Sequence, residues 1–229
     1  EILDAIHGQM IISCQAVEGE PLYVEEKSIM YLMARAAKQA GTPAIRTSSI
    51  RDVIAIKEET GLPVIGLVKI RYPGYEGYIT PTMKEVDDLV AAGSDVVALD
   101  CTLRKRGDGT TVNEFIAQIK EKYPDIILMA DISNYEEGIN AWKCGVDIVG
   151  TTMSGYTDYT SKKDEPDYKL MERLAKDTDI PVIGEGKIHY PDQAVKALQT
   201  GVWAIVVGGA ITRPLEIAQR FQKAIEASK

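Results

Sequence analysis

Residues 181–214 read PVIGEGKIHYPDQAVKALQTGVWAIVVGGAITRP, which is one structural unit repeated almost twice. Residues 181–185 form a short apolar run that ends in Glu185 inside a Gly184-Glu185-Gly186 turn. A helical segment, 193–199, follows Pro191-Asp192 and stops before Gly201. Residues 203–208 are a second apolar run, and Gly208-Gly209 leads to Arg213-Pro214 and a closing helix over 214–227. Runs nearly continuous in Val, Ile and Ala suit parallel strands buried on both faces. Proline at a helix start and glycine past its end mark the boundaries of the helical segments between them.

The same rhythm extends back to the start of the chain. Apolar runs occupy 10–14 (MIISC), 44–46 (AIR), 64–69 (VIGLVK), 96–100 (VVALD), 126–131 (IILMAD) and 147–150 (DIVG). Helical patterns lie over 51–59, stopped by Gly61, over 84–92, stopped by Gly93, and over 136–143, stopped by Gly145. Eight strand–helix units in 229 residues predict parallel strands joined by right-handed crossovers. The expected fold is α/β, a (β/α)8 TIM barrel forming one domain over 1–229. A doubly wound open sheet is the competing topology, and no GxGxxG follows the first strand to favour it. Residues 2–6 are expected to form a short helix capping the barrel bottom.

Composition narrows the function. The net charge is −8 and the pI about 4.9, with no Lys/Arg-rich run, so nucleic acid is not an expected partner. No stretch of about 18 apolar residues predicts a membrane span. The opening Glu1-Ile2-Leu3-Asp4 lacks a signal-peptide pattern. Cys14, Cys101 and Cys144 form no CxxC pair and read as small core or loop residues in a reducing cytoplasm. No His/Asp/Glu set has metal-ligand spacing, and no metal or organic cofactor is expected. His7 precedes the first strand, at the end of the barrel away from catalysis. His189 lies past the Gly-Glu-Gly turn and reads as a residue beyond the site.

In such a barrel chemistry collects at the C-terminal strand ends. The polar residues there are Gln15, Arg46, Lys69, Asp100, Asp131, Thr151 and Glu185, with Gly208-Gly209 after the last strand. Two cations and three carboxylates converging on one mouth exceed what packing requires, although each alone is compatible with a structural ion pair. Lys69, flanked by apolar wall and near other cations, is expected to have a lowered pKa and to act as a base; a pairing with Asp131 or Glu185 is the other reading. Glu185, between two glycines, is expected to be partly desolvated and to act as acid or base. Gly186, Gly208 and Gly209 allow a phosphate to approach free backbone N–H groups, and Arg213 adds a fork of donors beside the closing helix. Residues 152–166 read as a long polar loop, either a lid or a merely mobile segment, and the charged loop Arg104-Lys105-Arg106 reads by default as a solvated cluster, covering the mouth being the other reading.

Several stretches together resemble the N-acetylmannosamine-6-phosphate 2-epimerase family over nearly the whole chain. They are ISCQA at 12–16, LPVIG at 62–66, ITPT at 79–82, VALD at 97–100, TLRKR at 102–106, MADI at 129–132, GTT at 150–152, GYT at 155–157, GEG at 184–186 and VVGGAITRP at 206–214. The resemblance implies interconversion of N-acetylmannosamine 6-phosphate and N-acetylglucosamine 6-phosphate in sialic acid and amino-sugar catabolism, without a cofactor. It implies that Lys69 and Glu185 move the proton at C2. It also implies that Gln15, Arg46 and Asp131 contact the sugar and that Gly186, Gly208, Gly209 and Arg213 hold the phosphate. A small-molecule amino-sugar phosphate is thus the expected partner, and a homodimer the expected assembly. The chain departs from the family pattern at 40–48, AGTPAIRTS, where GGAVGIRAN is usual, and at Ile70-Arg71, where Arg-Asp is usual. The alternatives are another phosphosugar barrel enzyme (aldolase, decarboxylase or synthase) and a non-catalytic phosphosugar-binding barrel.

Overall fold

The computed structural model describes all 229 residues. The chain runs α1 (Ile2–Ile6), β1 (Met10–Ser13), α2 (Met30–Gln39), β2 (Ile45–Ser48), α3 (Ile50–Thr60), β3 (Val64–Leu67), α4 (Met83–Ala91), β4 (Val96–Asp100) and α5 (Val112–Lys122). It continues through β5 (Ile127–Asp131), α6 (Tyr135–Lys143), β6 (Ile148–Gly150), α7 (Tyr168–Asp177), β7 (Val182–Glu185), α8 (Pro191–Gln199), β8 (Ala204–Val207), α9 (Gly209–Thr212) and α10 (Pro214–Ala227). The strands close in sequence order into an eight-stranded parallel barrel, β1 pairing with both β2 and β8. The structure thus has the (β/α)8 architecture read from the sequence.

Period-two alternation along each strand sorts the apolar residues into two layers. One layer fills the barrel: Ile11, Ala44, Ile65, Leu67, Ala98, Met129, Ile148, Ile183, Ala204 and Val206, plugged from below by Ile6 of α1. The other, including Ile12, Val64, Val97, Leu128, Val149, Val182 and Ile205, packs under the helices. At the bottom His7 stacks on Trp203 with ring centroids 3.9 Å apart, and the Trp203 indole N–H donates to Leu3 O at 2.7 Å. These contacts explain why α1 caps this end.

Three differences from the sequence reading matter for the site. The third strand was expected to reach Lys69, but β3 stops at Leu67. The chain then folds back on itself: Thr80 N–H donates to Val68 O at 2.7 Å and Ile70 N–H to Tyr78 O at 2.9 Å, leaving Lys69 in an antiparallel bridge with Ile79. Local pairing within 68–80 replaces the sheet ladder there. Helices α2, α5 and α7 were not among the helical segments read from the sequence, although Gly41 follows α2, Pro124 follows α5 and Pro166 precedes α7; the Thr111 and Asp167 side chains cap α5 and α7. The short α9 lies between β8 and the closing helix, so Arg213 caps α10 one turn beyond the last strand.

Candidate active site

The interior alternation of each strand, continued by one step, produces the site. Ile11 leads to Ser13 and Gln15, Ala44 to Arg46, Leu67 to Lys69, Met129 to Asp131, Ile148 to Gly150 and Thr152, Ile183 to Glu185, and Val206 to Gly208. The side chains that would continue the apolar core are instead polar or absent at the C-terminal mouth. There Ser13, Gln15, Arg46, Lys69, Glu185, Gly186, Gly208, Gly209 and Arg213 line one cavity of about 200 Å³. Of the polar strand-end residues expected at the mouth, this cavity gathers all but Asp100, Asp131 and Thr151.

Arg46 is buried to 1% exposure and holds two carboxylates. Its Nη2 is 2.6 Å from Asp131 Oδ2, its Nε 3.2 Å from Glu185 Oε1, and its Nη1 3.4 Å from Met129 Sδ. Burial disfavours the charge on Arg46, but Asp131 and Glu185 overcome it and raise the pKa above the ordinary arginine value. Asp131 is fully buried beneath this guanidinium, with Thr152 Oγ1 donating to its Oδ1 at 2.6 Å. It orients Arg46 and Thr152 from one layer below the cavity wall. Gly150 makes room for the pair: a Cβ there would collide with the Met129 methyl.

Glu185 is positioned through its backbone, the Thr151 hydroxyl accepting its N–H at 3.0 Å and donating to its carbonyl at 2.9 Å. Desolvation raises its pKa first, Arg46 opposes, Asp131 adds to the rise, and the result is about 7. Thr152 Oγ1 also lies 3.2 Å from Glu185 Oε2. One hydroxyl proton serves either Asp131 or Glu185 at a time, so Thr152 links the two carboxylates. Lys69 makes no ion pair with Asp131 or Glu185, because Arg46 has taken both. Burial first, then Arg213 and Arg46, lower the Lys69 pKa to about 8 against the opposing pull of Glu185 and Glu20.

Gln15 donates from Nε2 to Ser13 Oγ at 2.8 Å, while its Oε1 is buried without a partner. An unmatched acceptor on a cavity wall costs roughly 1–3 kcal/mol, and a ligand N–H or O–H would satisfy it. Beyond β7 the chain turns through Gly186 at φ +106° and Lys187 at φ +60°, backbone that only the first adopts freely. Gly208 abuts β1, where a Cβ would lie 3.3 Å from Ser13 Cβ. The turns after β7 and β8, the short α9 and Arg213 together match the phosphate-site architecture of such barrels.

Other expectations need correcting. Asp100 does not join the cavity; it pairs with Arg104 at 2.6 Å and caps Thr102 at 2.9 Å. The 104–106 loop is not a solvated cluster, since the Arg106 guanidinium lies 3.9 Å from the Phe115 ring centre and donates to Pro81 O at 2.8 Å. His189 is on the cavity wall after all, with a pKa lowered first by burial and then by Arg220. Tyr78, Thr152, Tyr156, Lys187 and Glu216 also line the cavity; none of them had a site role in the sequence reading, and Thr152 and Tyr156 were read only as part of a candidate lid. Thr152 was within reach of the period-two rule. The others stand on loops or on α10, whose placement no local pattern encodes. The 152–166 loop is tied down: the Tyr159 hydroxyl donates to Glu137, and Ser154 Oγ donates to Asp167 Oδ2 at 2.7 Å.

Comparison with known proteins agrees in one direction. The family described as "Putative N-acetylmannosamine-6-phosphate epimerase" matches residues 30–227. A protein of Caldanaerobacter subterraneus subsp. tengcongensis named "Putative N-acetylmannosamine-6-phosphate 2-epimerase" is 53% identical over 221 residues, covering 96% of this chain and 92% of its own. A Clostridioides difficile protein of the same name is 50% identical over 225 residues, covering 98% and 99%. The solved N-acetylmannosamine-6-phosphate 2-epimerase of Clostridium perfringens superposes with a TM-score of 0.92 at 47% identity, over 98% of this chain and 96% of that one. Thiamine phosphate pyrophosphorylase from Pyrococcus furiosus, at 19% identity and a TM-score of 0.62, shares the fold.

Proposed function

This chain belongs to the N-acetylmannosamine-6-phosphate 2-epimerase family, and from that premise we propose how its site interconverts N-acetylmannosamine 6-phosphate and N-acetylglucosamine 6-phosphate. The reaction inverts C2, which carries a hydrogen next to the carbonyl of the open-chain sugar. One group removes that proton to give an enolate, with its charge on the C1 oxygen and the acetamido group kept on C2, and a second returns a proton to the opposite face. Lys69 and Glu185 take these two roles. The observation that carries the reading is that both line one cavity with pKa values drawn to about 8 and about 7. Each can give or take a proton near neutrality.

The route we propose needs no metal or organic cofactor. Its support is that Arg46, locked between Asp131 and Glu185, holds a guanidinium on the cavity wall that can face the C1 oxygen where the enolate develops negative charge. Gln15 Oε1 accepts a donor of the sugar. Arg213 and the backbone at Gly186, Gly208 and Gly209 hold the phosphate, which keeps the reacting carbon over the Lys69–Glu185 pair.

The test is deuterium uptake at C2 from heavy water, followed by proton NMR on both sugar phosphates. Lys69→Ala should lose exchange and turnover together by about 10²–10⁴-fold, and wild-type exchange in that variant would remove Lys69 from the mechanism. A lysine of lowered pKa also suits the Schiff base of an aldolase, and borohydride trapping of substrate on the protein would favour that second reading.

We further propose a cytoplasmic homodimer working in amino-sugar catabolism, with all 229 residues acting as one domain. No helix is long and apolar enough to cross a membrane. The dimer rests on α10, which has no buried residue and leaves Leu215, Phe221 and Ile225 exposed. Exposed apolar side chains repeated along one helix suit a contact surface. Light scattering should show two chains for the protein and one for Phe221→Asp; a monomer in both cases would end the proposal.

A further inference from the structure

Arg213 is flanked by two carboxylates that are held very differently. Glu20, on the loop between β1 and α2, places Oε1 2.9 Å from Arg213 Nε, and its Oε2 accepts the Val17 N–H at 2.9 Å. Glu20 is thus an ion-pair partner of Arg213 whose other oxygen is held by the backbone, although Arg213 Nε makes no hydrogen bond. Glu216, on the first turn of α10, has Oε1 3.7 Å from the same Nε. Its carboxylate lies directly against Gly209, where a Cβ would collide with Oε2. Glu216 lines the same cavity as Gly208, Gly209 and Arg213 and is 42% exposed. An anionic side chain therefore sits, loosely held, in the place assigned above to the phosphate.

We infer that Glu216 tunes phosphate affinity as an internal stand-in for the phosphate, one that a ligand dianion displaces from Arg213 and the Gly208–Gly209 turn. The inference rests on the reading that this turn and Arg213 receive the phosphate. A phosphate monoester carries about −1.5 to −2 charges at neutral pH, more than the single charge of a carboxylate, so it competes successfully for Arg213. An unphosphorylated sugar brings no charge to the exchange and leaves Glu216 in place. Glu216 moves outward easily because it is partly exposed and stands at a helix start, whereas Glu20 stays as the ion-pair partner of Arg213. Phosphate affinity is thus held below what the cations alone would give.

Inorganic phosphate is the probe, titrated calorimetrically into the wild-type protein, Glu216→Gln, Glu216→Ala and the control Glu226→Gln, which alters an exposed residue on the same helix. Removing the competing charge should tighten phosphate binding about tenfold, equivalent to about 1.4 kcal/mol, in both Glu216 variants and not in Glu226→Gln. The gain should shrink as salt is raised, because it is coulombic. In turnover, KM for the sugar phosphate should fall with kcat unchanged, a split that loss of structure would not produce. Unchanged or weaker phosphate binding in folded Glu216→Gln and Glu216→Ala would overturn the inference. Because phosphate binding is read without turnover, the two readings fail separately. Tightening in a protein without epimerase activity would sink the functional reading alone, and epimerase activity with unaltered phosphate affinity would sink the inference alone.

Discussion

The protonation of the Lys69–Glu185 pair makes a quantitative forecast for the pH dependence of epimerisation. Glu185 is drawn up to about 7, first by desolvation, and Lys69 down to about 8, first by burial. Two-base inversion needs the pair to hold one proton. Below about 7 Glu185 takes a second proton and the base is lost; above about 8 Lys69 loses its proton and the acid is lost. The singly protonated fraction is then about 0.6 at pH 7.5 and about 0.03 at pH 5.5 or 9.5, a fall of about 20-fold on each side. The dominant form has ionised Glu185 and charged Lys69, by about tenfold over its tautomer. The assay is the initial rate by proton NMR from pH 5.5 to 9.5, with circular dichroism confirming the fold at each end. In kcat/KM the upper limb should stand near 8. In kcat it should move upward, because a bound phosphate offsets the Arg213 charge that helps depress Lys69. The substrate's own phosphate, titrating near about 6, steepens the acid limb of kcat/KM only below that pH. An upper limb near the ordinary lysine value in kcat/KM would refute the depressed Lys69 and, with it, the paired mechanism.

Three further outcomes follow from the same contacts. Arg46→Met leaves Asp131 and Glu185 as buried carboxylates without their cation, a loss of about 3–5 kcal/mol; calorimetry should show a fall of roughly 6–20 °C in Tm, and a change under about 2 °C would contradict the assigned charge pairing. Glu185→Gln should be inactive yet more stable than wild type at pH 8. A carboxyl whose folded pKa lies near 7 against an ordinary 4.5 costs stability progressively between those values and fully above 7. The gain at pH 8 is then up to about 3 kcal/mol and should vanish towards pH 4.5; a gain independent of pH would speak against the raised pKa. Tyr159→Phe removes the hydroxyl that donates to Glu137, so amide hydrogen exchange within 152–166 should accelerate by about fivefold, corresponding to about 1 kcal/mol. Unaltered exchange would show that the loop is held elsewhere.

The barrel was legible because two periods and their punctuation repeat along the chain. Each strand buries both faces, so its apolar run is nearly unbroken, and each loop needs the glycine or proline that ends it. The charged ends of those runs also exposed Arg46, Lys69, Asp131 and Glu185, since an interior position just past the core is one where a charge has no packing reason to be. The 68–80 fold-back was not legible. Its pairing depends on Thr80 and Tyr78 meeting Val68 and Ile70 across a turn, and nothing in the run 64–69 signals that the ladder ends at Leu67.

What the sequence determined by itself is the closed parallel barrel, the mouth at which its polar residues gather, and the family to which their pattern is similar. Tertiary structure decided which charges meet. Arg46 takes both Asp131 and Glu185, Asp100 turns away to Arg104, and Lys69 is left without an ion pair beside two arginines. These outcomes are set by distances of a few ångströms between residues on different strands. Coulomb energy and desolvation vary steeply over that range, and a linear pattern of residues carries no information about it.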